Sequence, residues 1–598
     1  MPFLSRIVVW SMHHSYILLF GLIWVTTTAA AVTCVTIAIG RGAGPATQKA
    51  RRSSKDVDSI GSQSWASTDV AMFVFLSAFL ACYIALIIKG EAFSYYDDSV
   101  FTMFTLKGHN IQLFISREGG RFMPLAFQEF NLIRHFTDTI DGYHVFPIVQ
   151  FLIVSIIFLF ILDEISIKAR VVLIVLVWVT PSILISFNAL LFSERSVILF
   201  LACLMLSVKR FEQTRSITWA LSAMISAQLM IYCKETAFLL LVGFACCRLI
   251  LRCTTPNFQF GRLWVGISRL DMGLGSLAVL FLMFYFGVVG IPGHGNYAAL
   301  AGVPRANVVL AYIKVDLLAW ALMAVVLARL YRIYRHRVAP SLLWDGLAAG
   351  GVACFLGYIY LRMFSAYYPA PVDVIAVLYI GRLAVLSWKK IPRWGKAAAA
   401  TLVVIIVLQD VLVSAFAVFE RKNVIQGKVE LASVVEARYR QGAGKSFRLF
   451  FPFSGGYTIM EFGAYLSSRG IPVEGANGEI SGENSLVLAE ARRTRIRNAP
   501  GRSAEDGPCV DWITIRCELV DSPAPGDLVI VLPDDEVSLA EVSVYREQGE
   551  LLVSTEPRLS IPLWLHRLFN SLPVGPESRY RDYPLPDRWM DGSVTLWK

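Results

Sequence analysis

Charge is scarce in this sequence, and its scarcity excludes an ordinary soluble protein. Only 17% of the 598 residues are Asp, Glu, Lys or Arg, whereas 56% are hydrophobic and the mean hydropathy is +0.56. A soluble domain is roughly one quarter charged. The apolar residues lie in blocks of roughly 20, the length that crosses about 30 Å of hydrocarbon as a helix. A block surrounded by lipid must satisfy its own backbone hydrogen bonds, so the blocks are predicted to be helices.

Other signatures are missing as well. No alternating ten-residue apolar pattern is present, which excludes an outer-membrane barrel. The ten cysteines form no CxxC pair and no Cys/His spacing, so no metal site is predicted. The glycine-rich stretches Gly442–Lys445 and Ser454–Gly456 complete no P-loop spacing and predict turns. The net charge of +10 lies mostly in short loops between apolar blocks, which indicates membrane topology rather than nucleic-acid binding.

The sequence therefore predicts a polytopic α-helical membrane protein of about 12 spans, with a C-terminal α/β domain. Segments of about 13 residues are short for a span and would tilt, thin the bilayer or lie between neighbouring helices. The predicted apolar segments are Tyr16–Ile39, Asp69–Ile88, Val145–Leu162, Arg170–Leu190, Ser196–Val208, Ile217–Tyr232, Thr236–Leu251, Met272–Gly290, Val308–Ala328, Ser341–Leu361, Val372–Ser387 and Ala397–Ala417.

Loops rich in Lys and Arg alternate with loops that have few, and the positive-inside rule assigns the rich set to the cytoplasm. Residues 1–67, an apolar segment and a basic loop, precede the second segment. The loop 89–144 and the chain after Phe419 are then expected to face outward. The rich set comprises residues 41–55, 168–170, 209–215, 248–269, 329–337 and 389–396.

The C-terminal region, residues 420–598, loses the long apolar runs and is predicted to be a soluble exoplasmic or periplasmic α/β domain. Its Cys509 and Cys517 are close enough in sequence to form a disulfide, which an oxidising compartment would permit. The predicted strands are Phe447–Phe453, Asp527–Leu532 and Glu550–Ser554, and the predicted helices are Tyr457–Ser468 and Ser538–Gln548.

Two adjacent acids, Asp97 and Asp98, follow the second apolar segment in the outward loop. Paired carboxylates at a membrane surface are costly to desolvate, so they indicate ligand binding or acid–base catalysis. The structural alternative is that Asp98 caps a following helix. Further along the loop, Arg121 precedes the amphipathic run Phe127–Phe136, which fits a helix in the headgroup plane. Arg121 would pair with a phosphate, or else snorkel to a headgroup.

The outer face has few cations, and two of them occur beside acids in short turns: Glu194-Arg195 and Lys234-Glu235. A ring of Lys and Arg at this depth would suit a phosphate held at the interface. Alternatively, each adjacent acid–base pair neutralises itself. Further outer-loop candidates for lining a sugar or lipid cleft are His294, Tyr297, Arg305, Arg362 and Tyr367, and the two arginines are also candidates for binding the donor phosphate. Aromatic residues there also fit an interfacial belt.

An acidic pair in the first long outer loop, a juxtamembrane helix after it and many further spans resemble the GT-C glycosyltransferases. Relatives of that type include protein O-mannosyltransferases, lipid A aminoarabinose transferases and mycobacterial arabinosyltransferases. The turn Lys234-Glu235-Thr236 is similar to a Lys-Glu motif in several of these families. The resemblance covers the module 68–290; the segments in 291–419 and the C-terminal domain vary among such relatives. The extra N-terminal apolar segment departs from their pattern.

The resemblance implies inverting, metal-independent transfer of a sugar from a polyprenyl-phosphate donor to a hydroxyl of a glycan, lipid or protein, without a cofactor. It implies a multi-pass protein of the plasma membrane, the inner membrane in bacteria, working on polysaccharide or lipopolysaccharide of the cell envelope. Asp97, with Asp98 beside it, would be the general base. Lys234, with Arg195 or Arg121, would stabilise the departing phosphate.

Three other functions remain open. A transporter or flippase for lipid-linked sugars would show internal repeats and helices broken near the midplane, and the sequence shows no repeat. An O-antigen ligase or polymerase would use a diphosphate-linked donor and a large loop between later spans. A receptor that binds glycans through its C-terminal domain would not depend on Asp97.

Overall fold

The apolar segments form helices, and most of them pack into one bundle. The computed structural model describes residues 67–88, 98–106, 108–116, 120–253, 269–290, 304–336, 338–441, 448–452, 461–463, 465–467, 469–471, 485–489, 517–520, 522–532, 539–555 and 593–597. The first predicted segment, Tyr16–Ile39, lies outside these residues.

The first ten helices of the described chain are mostly 13 to 22 residues long. They are α1 (Ser67–Ile88), α2 (Asp98–Leu106), α3 (Gln128–Ile133), α4 (Ile140–Tyr143), α5 (Val145–Ile161), α6 (Ile167–Val179), α7 (Pro181–Asn188), α8 (Glu194–Thr214), α9 (Ile217–Cys233) and α10 (Ala237–Cys253).

The later helices include the longest one in the described chain. They are α11 (Arg269–Tyr285), continued by a π-helical turn (Phe286–Gly290), then α12 (Arg305–Val315), α13 (Leu317–His336), α14 (Leu342–Tyr360), α15 (Ala370–Ser387), a 3₁₀ turn (Trp388–Lys390), α16 (Arg393–Gln441) and, in the C-terminal region, α17 (Leu539–Glu547).

Five helices in the described residues are long and apolar enough to cross a membrane, within α1, α13, α14, α15 and α16. The number rises to six if α6 and α7 form one bent span, and α5, α9 and α11 are shorter apolar helices. A helical membrane protein is the coarse prediction that this architecture supports. Of the five, α14 and α15 are the most buried, and α1 and α13 the least, so α1 and α13 present most of their surface to the surroundings.

Three predicted segments differ from the observed helices. The segment Arg170–Leu190 is not one helix: α6 and α7 meet at a 68° bend, because Pro181 lacks an N–H and its ring disfavours a continuous helix. Val308–Ala328 is interrupted at Asp316, whose backbone is non-helical and whose carboxylate accepts a hydrogen bond from the Ala319 amide. Ser196–Val208 is the middle of α8, which has 21 residues.

Polar side chains gather at both ends of α8, which spans about 31 Å at 1.5 Å per residue. At its N-terminus lie Arg121, Glu129, Gln150, Glu194, Arg195, Lys234 and Glu235, which we call the Lys234 layer. At its C-terminal end, Lys209 pairs with Asp163, and the Arg248 guanidinium bonds Glu212 and Asp271. We call this second group the Arg248 layer. The hydrophobic core lies between the two layers and is centred on side chains such as Trp178.

The C-terminal region contains a six-stranded mixed sheet in the order β5-β4-β3-β6-β8-β7. Pairs β3–β4, β4–β5 and β3–β6 are parallel, whereas β8 pairs antiparallel with β6 and β7. A separate hairpin in the first loop joins β1 to β2. The strands are β1 (Phe114–Ser116), β2 (Arg121–Met123), β3 (Arg448–Phe451), β4 (Ser485–Ala489), β5 (Cys517–Val520), β6 (Leu528–Val531), β7 (Gly549–Ser554) and β8 (Ser593–Trp597).

Helix α16 connects the bundle to the sheet without a break, so the predicted domain boundary at residue 420 lies inside a helix. Its apolar N-terminal part belongs to the bundle, and its later residues Leu431 and Val435 pack with Leu449 and Ile530 of the sheet. Leu106 at the end of α2 packs against this same core. The first loop and the sheet therefore lie on one side of the bundle, near the Lys234 layer.

Candidate functional site

The candidate site is the Lys234 layer, and its centre is the three-residue turn between α9 and α10. The amide of Ala237 donates to the Lys234 carbonyl at 3.0 Å and the amide of Phe238 to the Glu235 carbonyl at 3.2 Å, which closes the turn tightly. The Thr236 hydroxyl lies 3.2 Å from the Tyr358 hydroxyl of α14. Because adjacent residues of such a turn point in different directions, Lys234 and Glu235 have different partners.

Lys234 pairs with the first residue of α8. Its Nζ lies 2.9 Å from Glu194 Oε1, and the two side chains are 7% and 1% exposed. The ammonium also lies 4.8 Å from the ring centre of Tyr368 and 5.9 Å from that of Tyr367, within the range of a cation–π contact. Burial lowers the pKa of Lys234, but Glu194 and Tyr368 outweigh burial and raise it above its ordinary value. Lys234 is therefore a buried cation.

Arg195 reaches back to the first loop. Its Nη2 donates to Glu129 Oε1 of α3 at 3.1 Å, and its Nε donates to Gln150 Oε1 of α5 at 3.1 Å. Gln150 in turn donates to Ser196 at 3.1 Å. The Arg195 side chain is 1% exposed, so these contacts replace its hydration. Burial raises the pKa of Glu129 above its ordinary value, although Arg195 acts in the opposite direction.

Arg121 of β2 is the third cation of the layer. Its Nη1 donates to Glu235 Oε1 at 2.8 Å, and its side chain is 25% exposed, more than those of Arg195 and Lys234. Burial lowers the pKa of Arg121, but Glu235 and Tyr368 raise it above its ordinary value. The hairpin that carries Arg121 is fixed to the bundle: the Tyr285 hydroxyl donates to the Gly120 carbonyl at 3.0 Å. Arg121 is therefore the most accessible of the three cations.

Three buried carboxylate oxygens in the layer have no hydrogen bond among the described residues: Oε1 and Oε2 of Glu194 and Oε2 of Glu235. Glu194 Oε1 lies 2.9 Å from Lys234 Nζ and is compensated by that ion pair, so the two Oε2 atoms are the acceptors that have no partner group. An acceptor buried in this way costs free energy unless a donor satisfies it. Since the layer holds three cations and three carboxylates, it is formally neutral, and it offers hydroxyl groups two acceptors beside an accessible guanidinium. This combination is suited to a polar ligand that carries both hydroxyls and an anionic group.

The acidic pair of the first loop is only partly described. Helix α2 begins at Asp98, in agreement with a helix start there, whereas Asp97 and the Asp98 side chain lie outside the described residues. Phe101 of α2 stacks on Phe127 at 5.1 Å, and the Thr105 hydroxyl lies 2.7 Å from that of Tyr143. These contacts fix α2 against α3 and α4, the part of the loop that supplies Glu129 to Arg195.

The weaker candidates have different surroundings. Tyr367 stacks on Phe192 at 3.8 Å, and its ring centre lies 5.9 Å from Lys234 Nζ, so it borders the Lys234 layer. Arg305 lies over the ring of Tyr360 at the end of α14, and Arg362 has a left-handed backbone (φ 57°) in the turn that follows. His294, Tyr297 and Cys509 lie outside the described residues, and Cys517 begins β5.

Sequence reasoning missed two members of the layer: Glu129 and Gln150. It also left open that Lys234–Glu235 and Glu194–Arg195 neutralise themselves, and the structure shows a different arrangement. Each cation pairs with a carboxylate from another element. The sequence signal for Glu129 was a single acidic residue in the amphipathic run. Such a signal does not identify which cation the acid pairs with.

The chain matches no protein-family model, and a search of curated proteins finds no relative. Within the described residues, no group of three or more His, Cys, Asp or Glu side chains is arranged to hold a metal ion.

Proposed function

We propose that this protein is a membrane glycosyltransferase that moves a sugar from a polyprenyl-phosphate carrier to an acceptor hydroxyl on the exoplasmic face. One observation carries the proposal: Arg121 of the first loop, Arg195 of α8 and Lys234 of the α9–α10 turn converge in a single buried layer. The layer lies at the end of the bundle where α2, which begins at the acidic pair, is also fixed. An acid, cations and hydroxyl acceptors are the groups that such a transfer requires.

In the proposed reaction, Asp97 takes the proton of the acceptor hydroxyl as that oxygen attacks the anomeric carbon. The bond from the anomeric carbon to the phosphate oxygen breaks, and the lipid phosphate leaves with the electron pair. The configuration at the anomeric carbon inverts. The leaving phosphate needs little protonation, so cations suffice to stabilise it. The donor supplies the free energy, and the proposal invokes no cofactor.

The three cations have different parts in this proposal. Arg121 is the most accessible, so it would contact the phosphate first and exchange its bond to Glu235 for a bond to phosphate. Lys234 and Arg195 are buried, so they would act through the positive potential they add at short range. The unsatisfied oxygens of Glu194 and Glu235 would accept hydrogen bonds from sugar hydroxyls.

The test is donor turnover by purified protein with a panel of polyprenyl-phosphate and polyprenyl-diphosphate sugars. We expect wild type to turn over a monophosphate donor, and Asp97→Asn and Lys234→Ala to lose at least about 100-fold in kcat, as for removal of a group that stabilises a transition state. Lys209→Ala is the matched control, because Lys209 is also a buried lysine and pairs with the more exposed Asp163 at the opposite end of α8. Turnover that ignores both site variants, or that requires a diphosphate donor, would contradict the proposal.

A transporter of lipid-linked sugar is the second candidate, and one observation favours it. Helices break at Thr180–Pro181 and at Asp316, with the acids Asp316 and Asp373 close to the breaks. Broken helices that surround a polar site are typical of transporters. Movement of a labelled polyprenyl-phosphate sugar across liposomes without any change in the donor would favour this function over transfer.

A further inference from the structure

Three buried acids lie inside the bundle, away from the Lys234 layer. Asp316 lies at the break between α12 and α13, Asp373 in the first turn of α15, and Asp410 in α16, and their exposures are 6%, 2% and 7%. Helices α13, α15 and α16 are among the candidate spans. An ionisable side chain at such depth is costly and needs a partner.

Two of these acids face one another. The Asp316 and Asp373 carboxyl groups lie within hydrogen-bonding reach of each other. One oxygen of each carboxyl group accepts a hydrogen bond from another residue. Asp316 Oδ1 accepts from the Ala319 amide at 3.0 Å, and Asp373 Oδ2 accepts from the Ser182 hydroxyl at 2.5 Å. The remaining oxygens, Asp316 Oδ2 and Asp373 Oδ1, are buried and have no donor among the described residues. Two ionised carboxylates cannot satisfy each other, because both are acceptors only.

A separate helix adds an independent observation. Asp410 of α16 is buried and interacts electrostatically with both members of the pair. The neighbouring Gln409 accepts from the Leu317 amide at 3.3 Å, which fixes α16 against the α12–α13 break. Three negative charges in this apolar interior would repel strongly.

We propose that Asp316 and Asp373 share one bound proton, which joins α7, α13 and α15 inside the bundle. One carboxyl donates that proton to its neighbour, so that both orphaned oxygens are satisfied at once. The geometry favours a proton over a metal ion, since no metal-holding group of three ligands exists among the described residues. This site is independent of the proposed glycosyl transfer.

The charged groups on the packed elements are few. Helix α7 has none, α15 has Arg382 besides Asp373, the first charged residue of α13 is Arg329, and α16 contributes Asp410. Lys314 precedes Asp316 by two residues, and its side chain lies outside the described part of the chain. An ion pair with Lys314 is therefore the specific alternative that a test must distinguish.

The test is infrared difference spectroscopy of the purified full-length protein at neutral pH. We expect a carbonyl band of a protonated carboxylic acid that shifts on exchange into deuterium oxide. The band should disappear in Asp316→Asn and in Asp373→Asn, because the asparagine amide donates to the remaining carboxylate and no proton is needed. Ser182→Ala should shift the band, since Ser182 donates to Asp373.

Asp345→Asn is the matched control: this buried acid of α14 pairs with Arg329 and should leave the band unchanged. The deuterium shift in wild type tests the proposal even where a variant fails to fold. A wild-type spectrum without such a band would overturn the shared proton and favour the ion pair with Lys314. Persistence of the band in both Asp316→Asn and Asp373→Asn would also overturn it.

Discussion

Lys234 Nζ lies 2.9 Å from Glu194 Oε1, although 40 residues separate the two side chains in the sequence, and together they are almost completely withdrawn from solvent. The pair joins the α9–α10 turn to the start of α8. Removing one partner of a buried pair leaves an uncompensated charge, whereas replacing both with uncharged groups is often nearly neutral. This asymmetry separates a structural from a catalytic role.

Lys234→Met should reduce the free energy of unfolding by about 3–5 kcal/mol, because Glu194 then remains buried and unpaired. The double variant Lys234→Met/Glu194→Gln should recover most of that loss. Donor turnover should stay low in both variants, since neither has the cation. Thermal unfolding in detergent and turnover, measured on the same preparations, check this. If turnover returns together with stability, Lys234 has only a structural role.

Arg121→Ala should raise the KM for a polyprenyl-phosphate donor by about 10- to 100-fold, the range of one charge-assisted hydrogen bond of about 1.5–3 kcal/mol. Stability should fall as well, because Glu235 is buried and loses its ion-pair partner, so unfolding is measured on the same preparations to separate this loss from the change in KM. Arg121→Lys should restore part of the affinity, as lysine keeps the charge and loses the two-pronged geometry. Arg305→Ala is the control, since Arg305 lies against Tyr360. Equal effects of the two alanine variants would exclude a specific phosphate contact by Arg121.

Apolar length and charge placement were enough to predict a helical membrane protein, the strands near Arg448, Leu528 and Gly549, and the cations that the Lys234 layer brings together. The pairing within that layer was beyond the sequence. Arg121 and Glu235 are 114 residues apart. Nothing in the local sequence shows that Glu235 pairs with Arg121 rather than with the adjacent Lys234. The length of α8 was underestimated because its ends are charged. Those charges are tolerated only because Glu194 and Lys209 find partners on other helices.

The positions of the charged residues predict which side of the membrane each loop faces, and cysteine labelling can check this prediction. In a variant without native cysteines, Asp138→Cys in the first loop should react with a membrane-impermeant maleimide from outside intact cells. Gln213→Cys near the Arg248 layer should react only after permeabilisation. Both side chains are exposed, so access to reagent depends on the membrane alone. The reverse pattern would place the Lys234 layer on the cytoplasmic side and would end the proposal of exoplasmic transfer.

The pH dependence of stability should contain a contribution from Glu129. Burial raises the pKa of this carboxyl above its ordinary value of about 4.3, so the folded protein binds the proton more tightly than the unfolded chain. The contribution to the free energy of unfolding is then largest at low pH and falls as pH rises through the raised pKa. Glu129→Gln should flatten the profile in that range. Unfolding measured across pH 4 to 8 (roughly the range a glutamate reaches when buried) checks this, and an unchanged profile would contradict it.

Leu106 should connect the C-terminal sheet to the loop that carries the acidic pair. It ends α2 and packs against the core that includes Leu431 and Leu449. Leu106→Ala removes this contact, so we expect faster proteolysis within the first loop, lower turnover and an altered preference among acceptors. Leu132→Ala, which truncates an exposed leucine of the same loop, should have none of these effects. A truncation after Phe419 should shift acceptor preference in the same direction as Leu106→Ala, because it removes the sheet itself. Retention of full acceptor preference by both variants would show that the sheet neither positions α2 nor selects the acceptor.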